Sequence, residues 1–322
     1  SDEAQRLANS LLGDERFAGA PFDPMAWALP YLGWLEGDLP LLERHANQLL
    51  AIGERFGMPD TIATAHYFLG TAAYEGNRLD AAREHLSKVI DLRFVTQTVN
   101  PVHSWIAFAL AESAQGRQDN ADVAAEELMQ FVLDTHSDYL LPTAEAFVAK
   151  LDFRHGRTAA ALRWAHNADP DAHRHRFLFY DPASTYIEVL LSNEPDADRG
   201  RRPLDEYLDA AEQRGHRPLT IQLLGLRALD LAGRGDERGA LDSLERGVRL
   251  AQEGGMIRTL ADLGPGLVPL LHRLDVTGGV LAHVAGDIGQ LHRRAEVASP
   301  RQRFGPADAH QDAHHRADGR GD

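Results

Sequence analysis

Residues 218–255 read PLTIQLLGLRALDLAGRGDERGALDSLERGVRLAQEGG, and this stretch decides the fold. Leu219, Leu223, Leu226 and Leu229 fall at three- and four-residue spacing. A tight turn follows at Gly233-Arg234-Gly235-Asp236, and Ala240, Leu241, Leu244, Val248 and Ala251 then resume the spacing. That period sets each group on one face of a helix. Helices this short do not persist alone in water, and each has one apolar face that needs a neighbour.

The chain supplies neighbours by repetition. Gly235 stands five positions before Ala240, and the same pair recurs at Gly76/Ala81, Gly116/Ala121 and Gly156/Ala161. Gly37-Asp38 marks an earlier turn, with Leu42 at the alanine position. Successive turns from Gly37 to Gly156 lie 39, 40 and 40 residues apart, and Gly235 follows 79 residues later, two periods on. The intervening turn then falls in Glu194–Asp198. One helical hairpin per ~40 residues defines a solenoid. The fold class expected is all-α, a right-handed α-solenoid of six to seven hairpins.

These hairpins are placed near 24–56, 60–92, 101–136, 139–168, 182–214, 218–253 and 257–295, in one helical repeat domain spanning 1–298. Glycine in the turns predicts left-handed backbone. Asp38, Asn77, Asp119 and Asp236 are expected to cap second helices. Pro24, Pro59, Pro101, Pro182 and Pro218 suit the starts of first helices, whereas Pro30 and Pro142 predict kinks or late starts. After Ser299 the periodicity ends, and residues 299–322 read as a disordered polar tail.

Composition narrows the function classes. The chain of 322 residues is 43% hydrophobic, ample for a core, and carries 33 basic against 48 acidic residues, a net charge of −15. That balance argues against direct nucleic-acid binding by this segment. With no cysteine, disulfides, thiolate metal sites and cysteine nucleophiles are excluded. No apolar run suits a membrane span and no signal peptide is evident, so the expected location is cytoplasmic. The opening SDEAQR, without methionine, is what a piece of a longer protein would show.

The hairpin with its glycine-to-alanine signature resembles the tetratricopeptide repeat (TPR), which ordinarily recurs at about 34 residues. Several phrases point to a narrower group. AHYFLGTAAYEGNRLDAAREHLSKVIDLRF (65–94), AFALAESAQGRQDNA (107–121) and TAEAFVAKLDFRHGRTAAALRWA (143–165) look like hairpins of the MalT-like TPR region of large ATP-dependent LuxR-family transcriptional regulators. The strongest similarity lies in LRALDLAGRGDERGALDSLERGVRLAQEGGMIRTLADLGPGLVPLLHRL (226–274). The resemblance implies TPR-like hairpins acting as a sensor that binds an inducer or protein partner. It also implies an NTPase module and a helix-turn-helix module, neither present in this sequence: no Gly-x4-Gly-Lys-Ser/Thr occurs. Alternatives left open are a stand-alone TPR scaffold for a peptide or helix, and the repeat region of a cyclase- or kinase-linked signalling protein.

No catalytic constellation emerges. Ser104 beside His103 lacks a strand-turn-helix setting, and Gly264-Pro265-Gly266 lacks the lysine of a phosphate loop. The expectation is a non-enzyme with no cofactor and no metal. His173 and His175, like His310, His314 and His315, lack the rigid helical pairing of a metal site. Aromatic and histidine residues on first helices are the candidates for a concave binding face: Trp27, Tyr31, Trp34, His66, Tyr67, His103, Trp105 and Tyr186. Large residues at helical spacing equally suit an interhelical core, and both readings stay open. Arg93, Arg163 and Arg176 could meet an anionic ligand or pair with nearby acids.

Overall fold

The computed structural model describes residues 24–169, 179–193 and 197–276, the side chains of 24–27, 275 and 276 excepted. The second helix of the seventh expected hairpin, the 299–322 tail, Arg176 and the histidines of 173–175 and 310–315 lie outside them. Among the described residues there are fourteen α-helices and no strand. Six hairpins succeed one another: α1 (Pro24–Leu35) with α2 (Leu39–Phe56), α3 (Pro59–Glu75) with α4 (Leu79–Asp91), and α5 (Val99–Ala114) with α6 (Gln118–Asp134). Then come α7 (Leu141–Arg154) with α8 (Thr158–Asn167), α9 (Pro182–Leu191) with α10 (Ala197–Gln213), and α11 (Arg217–Gly233) with α12 (Glu237–Gly254). A short α13 (Arg258–Ala261) and α14 (Val268–Val276) follow. The chain is an all-α, TPR-like solenoid.

Burial separates two layers. Second helices bury one stripe, as α12 does with Ala240, Leu244, Val248 and Ala251. First helices are buried nearly all round: α3 from Ala63 to Glu75, and α9 from Pro182 to Leu190. A helix covered on all sides is an inner one. First helices therefore form the inner wall and second helices the outer.

Local chemistry explains the turns. Gly37, Gly116, Gly156 and Gly235 adopt φ between 61° and 80°, where a side chain would be strained. At the second hairpin the left-handed residue is Asn77 (φ 59°), while Gly76 sits at −76°; asparagine is among the few other residues that tolerate this region. The capping expectation holds in part. Asp38 accepts from Leu41 N at 2.9 Å and Asp236 from Gly239 N at 3.0 Å. Asn77 is occupied by its turn, and Asp119 lies inside the first turn of α6, where its charge favours the helix dipole. Pro142 falls at the start of α7, after a 3₁₀ turn at Asp138–Leu140, so its missing N–H costs nothing. Pro30 remains inside α1.

The superhelix returns on itself. Ile257 N donates to Glu75 O at 2.8 Å, joining the segment after α12 to the end of α3. Gly254, in the last turn of α12, lies against the backbone of Gly37 in the first hairpin turn. The Trp34 ring meets His216 edge-on at 6.5 Å. One core cluster accordingly runs from Trp34 and Leu42 through Ile187 and Leu190 to Met256 and Leu271. The two ends share a core, and the described chain is a nearly closed ring.

Candidate functional site

Inner helices must bury polar residues wherever they face the lumen, and lone charges inside their apolar runs mark the places. Lys150 interrupts AFVAKLDF, Glu188 interrupts STYIEVLL, and Glu75 closes α3. All three are buried, and the fold brings them together with Arg154, Arg258 and Asp262. Burial of a charge is tolerable only with partners, and here each has one. Lys150 pairs with Glu188. Asp262 receives Arg154 Nη2 at 3.1 Å, the Arg258 guanidinium, and the Tyr74 hydroxyl. Glu75 Oε2 accepts from Thr259 N at 3.0 Å and Thr259 Oγ1 at 2.7 Å. The guanidinium of Arg258 also lies over the Tyr74 ring, 5.7 Å from its centroid.

Environment separates the acids. Burial lifts Glu75 to about 7, against the opposing pull of Thr259. Burial would also lift Asp262, but Arg154 and Arg258 outweigh it and hold the carboxyl at about 2. Asp181, which caps α9 and accepts from Tyr207 Oη at 3.0 Å, is pushed up to about 7 by burial. Burial lowers Lys150, with Glu188 opposing.

Above this cluster opens a cavity of about 1080 Å³, at the upper end of the range for small-molecule sites. It is framed by hairpin turns, among them Asn77–Ala81, Ser113–Gly116 and Gly233-Arg234, and by the segment Arg258–Gly266. Phe153, Leu191, Leu229 and Leu263 give it an apolar side. Arg154 and Asp262 divide it from a smaller inner chamber of about 60 Å³ bordered by Trp34, Glu75, Lys150 and Asp181. A second doubly contacted carboxylate lies in the wall: Asp230 meets Arg201 Nε at 2.9 Å and Arg234 Nη1 at 3.7 Å.

The aromatic candidates distribute differently. Trp34 borders the inner chamber, and its buried Nε1 has no hydrogen-bond partner. Trp105 is directed outward, its ring tilted against Phe131 at 5.0 Å and its indole N–H toward Glu127 at 3.3 Å. Tyr67 and Tyr186 lie in the main core cluster, and the half-buried Tyr31 packs against it. His66 is buried and faces His85, their Nδ1 atoms 3.0 Å apart. His103 Nδ1 accepts from Tyr180 N at 3.3 Å. Trp27 lies on α1, its side chain outside the described residues. Of the seven whose side chains are described, only Trp34 borders either cavity. Arg93 lies over the Phe94 ring and Arg163 borders an outer groove beside Trp164.

Among the described residues no group of three histidines or acids is placed to hold a metal, and no helix is long and apolar enough to cross a membrane. Residues 36–277 match the family model of the MalT-like TPR region. No curated protein matches the chain.

Proposed function

Because the chain belongs to the family of MalT-like TPR regions, we propose that it is the effector-sensing module of a LuxR-family transcriptional regulator, working in the cytoplasm in signal-dependent transcription. The NTPase and DNA-binding modules of such a regulator lie outside this sequence. One observation carries the reading: the residues that line the cavity also fasten the ring. Arg258 and Asp262 face the 1080 Å³ space, and the same segment is clasped to α3 through Glu75 and to α7 through Arg154. An occupant touching Arg258 or Asp262 therefore contacts the joint that fastens the segment after the last hairpin to the second and fourth hairpins. Ligand bound more tightly to one state of that joint shifts the population toward it. The change reaches any neighbouring module through the C-terminal helices. Binding, with no chemistry, is the whole of the activity in this reading.

The test is hydrogen exchange with a metabolite set. An effector at about 100 times its dissociation constant adds roughly 2.7 kcal/mol to the form it selects. The amides of Ile257 and Thr259, both bonded to Glu75, should then change protection more than the amides of α6 on the outer wall. Binding of a partner peptide with no metabolite altering these amides would favour the scaffold reading. Hydrolysis of ATP by this chain would refute the non-catalytic one.

A further inference from the structure

The cavity's charge runs opposite to that of the chain. The whole sequence holds 33 basic and 48 acidic residues, yet the lining has five arginines, 78, 154, 201, 234 and 258, against four carboxylates, 80, 188, 230 and 262. The distribution matters more than the sum. Asp262 is shared by Arg154 and Arg258, and Asp230 by Arg201 and Arg234, so each aspartate leaves one guanidinium charge over. Asp198 also reaches Arg201, but it is 92% exposed and lies outside the lining, where water screens it. Lys150 and Glu188 cancel. Arg258 Nε is buried and without a partner, a donor still to be satisfied. Low-dielectric walls focus the leftover charge into the cavity, and guanidinium forks match carboxylate and phosphate oxygens.

We propose that this cavity binds a small organic anion, its carboxylate or phosphate held between the Asp262 and Asp230 arginine pairs and its apolar body against Phe153, Leu191, Leu229 and Leu263. A neutral sugar fits the lining less well, since among the described residues Phe153 is its only aromatic ring and sugar rings stack on aromatic faces. The inference rests on the cavity being the effector site and specifies what enters it.

Calorimetry on the full chain tests it with 3-phenylpropionate, phenyl phosphate and the matched neutral 3-phenylpropan-1-ol. Both anions are expected to bind, with affinity falling as salt rises, and the alcohol about tenfold more weakly or not at all. The tighter anion identifies the head group. Two variants separate charge from folding, one at the half-exposed Arg234 and one at the buried Asp230, the second keeping the side-chain shape while removing its charge. Arg234→Gln should weaken the anions about tenfold. Asp230→Asn should tighten them, because it frees Arg234 and leaves Arg201 only the exposed Asp198, an outcome that a purely structural role would not produce. The proposal falls if the alcohol equals the anions, if no anion binds, or if Asp230→Asn leaves anion affinity unchanged or weaker. If neutral metabolites alter the Ile257 and Thr259 amides while anions do not, this inference fails and the effector reading stands.

Discussion

Replacing Gly254 by alanine tests whether the ring is closed. Gly254 has helical backbone, so alanine brings no conformational penalty of its own; the obstacle is steric. Its Cβ would overlap the Gly37 carbonyl, standing 2.6 Å from the carbonyl carbon and 3.4 Å from Asp38 N. Carbon atoms in contact normally stay about 3.5–4.0 Å apart. The carbonyl oxygen is the closest atom, and the first hairpin turn and the end of α12 must therefore part by at least about 1.5 Å. Both sides are backbone, and no side chain can rotate away. Overpacking of this kind costs about 1–3 kcal/mol, and parting the turn also loosens the fully buried Met256, whose sulfur lies beside Gly37.

The hairpins themselves do not depend on this contact, since repeats in a solenoid are held by their neighbours. Helical circular dichroism should survive in Gly254→Ala while the closure weakens. A cost of about 2 kcal/mol corresponds to roughly thirtyfold lower protection of the Ile257 and Thr259 amides, with an increased radius in small-angle scattering. Gly233→Ala is the control, because a Cβ there meets nothing within 4 Å. It should be neutral or stabilise by about 0.4–1 kcal/mol. If Gly254→Ala matches Gly233→Ala in exchange and in radius, the ring does not close at this point and the coupling argument fails.

Asp262→Ala leaves Arg154 and Arg258 facing each other without their shared carboxylate. It should cost about 3–5 kcal/mol in urea unfolding, against about 1 kcal/mol for Tyr74→Phe, which removes a single hydrogen bond; equal losses would show that the charges are not the cause. Glu75 takes up a proton more readily folded than unfolded, so its stabilising contribution is complete below pH 4.5 and disappears as pH rises through about 7. Glu75 alone should account for about 3 kcal/mol of the loss across that window, Asp181 adding its own share, and the Glu75 share should vanish in Glu75→Gln; an unchanged pH profile in that variant would refute the assignment. Trp105→Ala should destabilise by about 3–5 kcal/mol, while ligand affinity at temperatures where it stays folded is unaltered. A selective loss of binding would return Trp105 to the site.

The solenoid was legible because its cause is local. Turn glycines, small residues five positions on and apolar spacing within each helix are properties of short segments, and Gly37, Gly116, Gly156 and Gly235 behave as that logic requires. The cavity was legible only in retrospect. Bulky aromatics attract attention, but Tyr67, Trp105 and Tyr186 occupy interhelical packing, where size is what counts. The informative residues were single charges in apolar inner helices, Lys150 and Glu188, whose position makes no sense unless something opposite answers them. What answers them depends on how far the superhelix turns in six hairpins, and no local spacing encodes that.

Curvature is therefore where fold and function meet. Each hairpin adds a small rotation, and the sum brings Asp262 to Arg154 across 108 positions and Thr259 to Glu75 across 184. Small changes at each interface would accumulate around the ring and appear at the joint, where Asp262 and Glu75 fasten the segment after α12 to the fourth and second hairpins. A bound group competing for Arg154 or Arg258 acts at that joint directly, with no need for a relay through the outer helices. Asp262 is fully charged at any physiological pH whereas Glu75 is poised near neutrality, so the clasp has one fixed half and one adjustable half. Coupling free energies between sites are typically about 1–3 kcal/mol, and a ligand that prefers one geometry of this joint by that much would decide which geometry prevails.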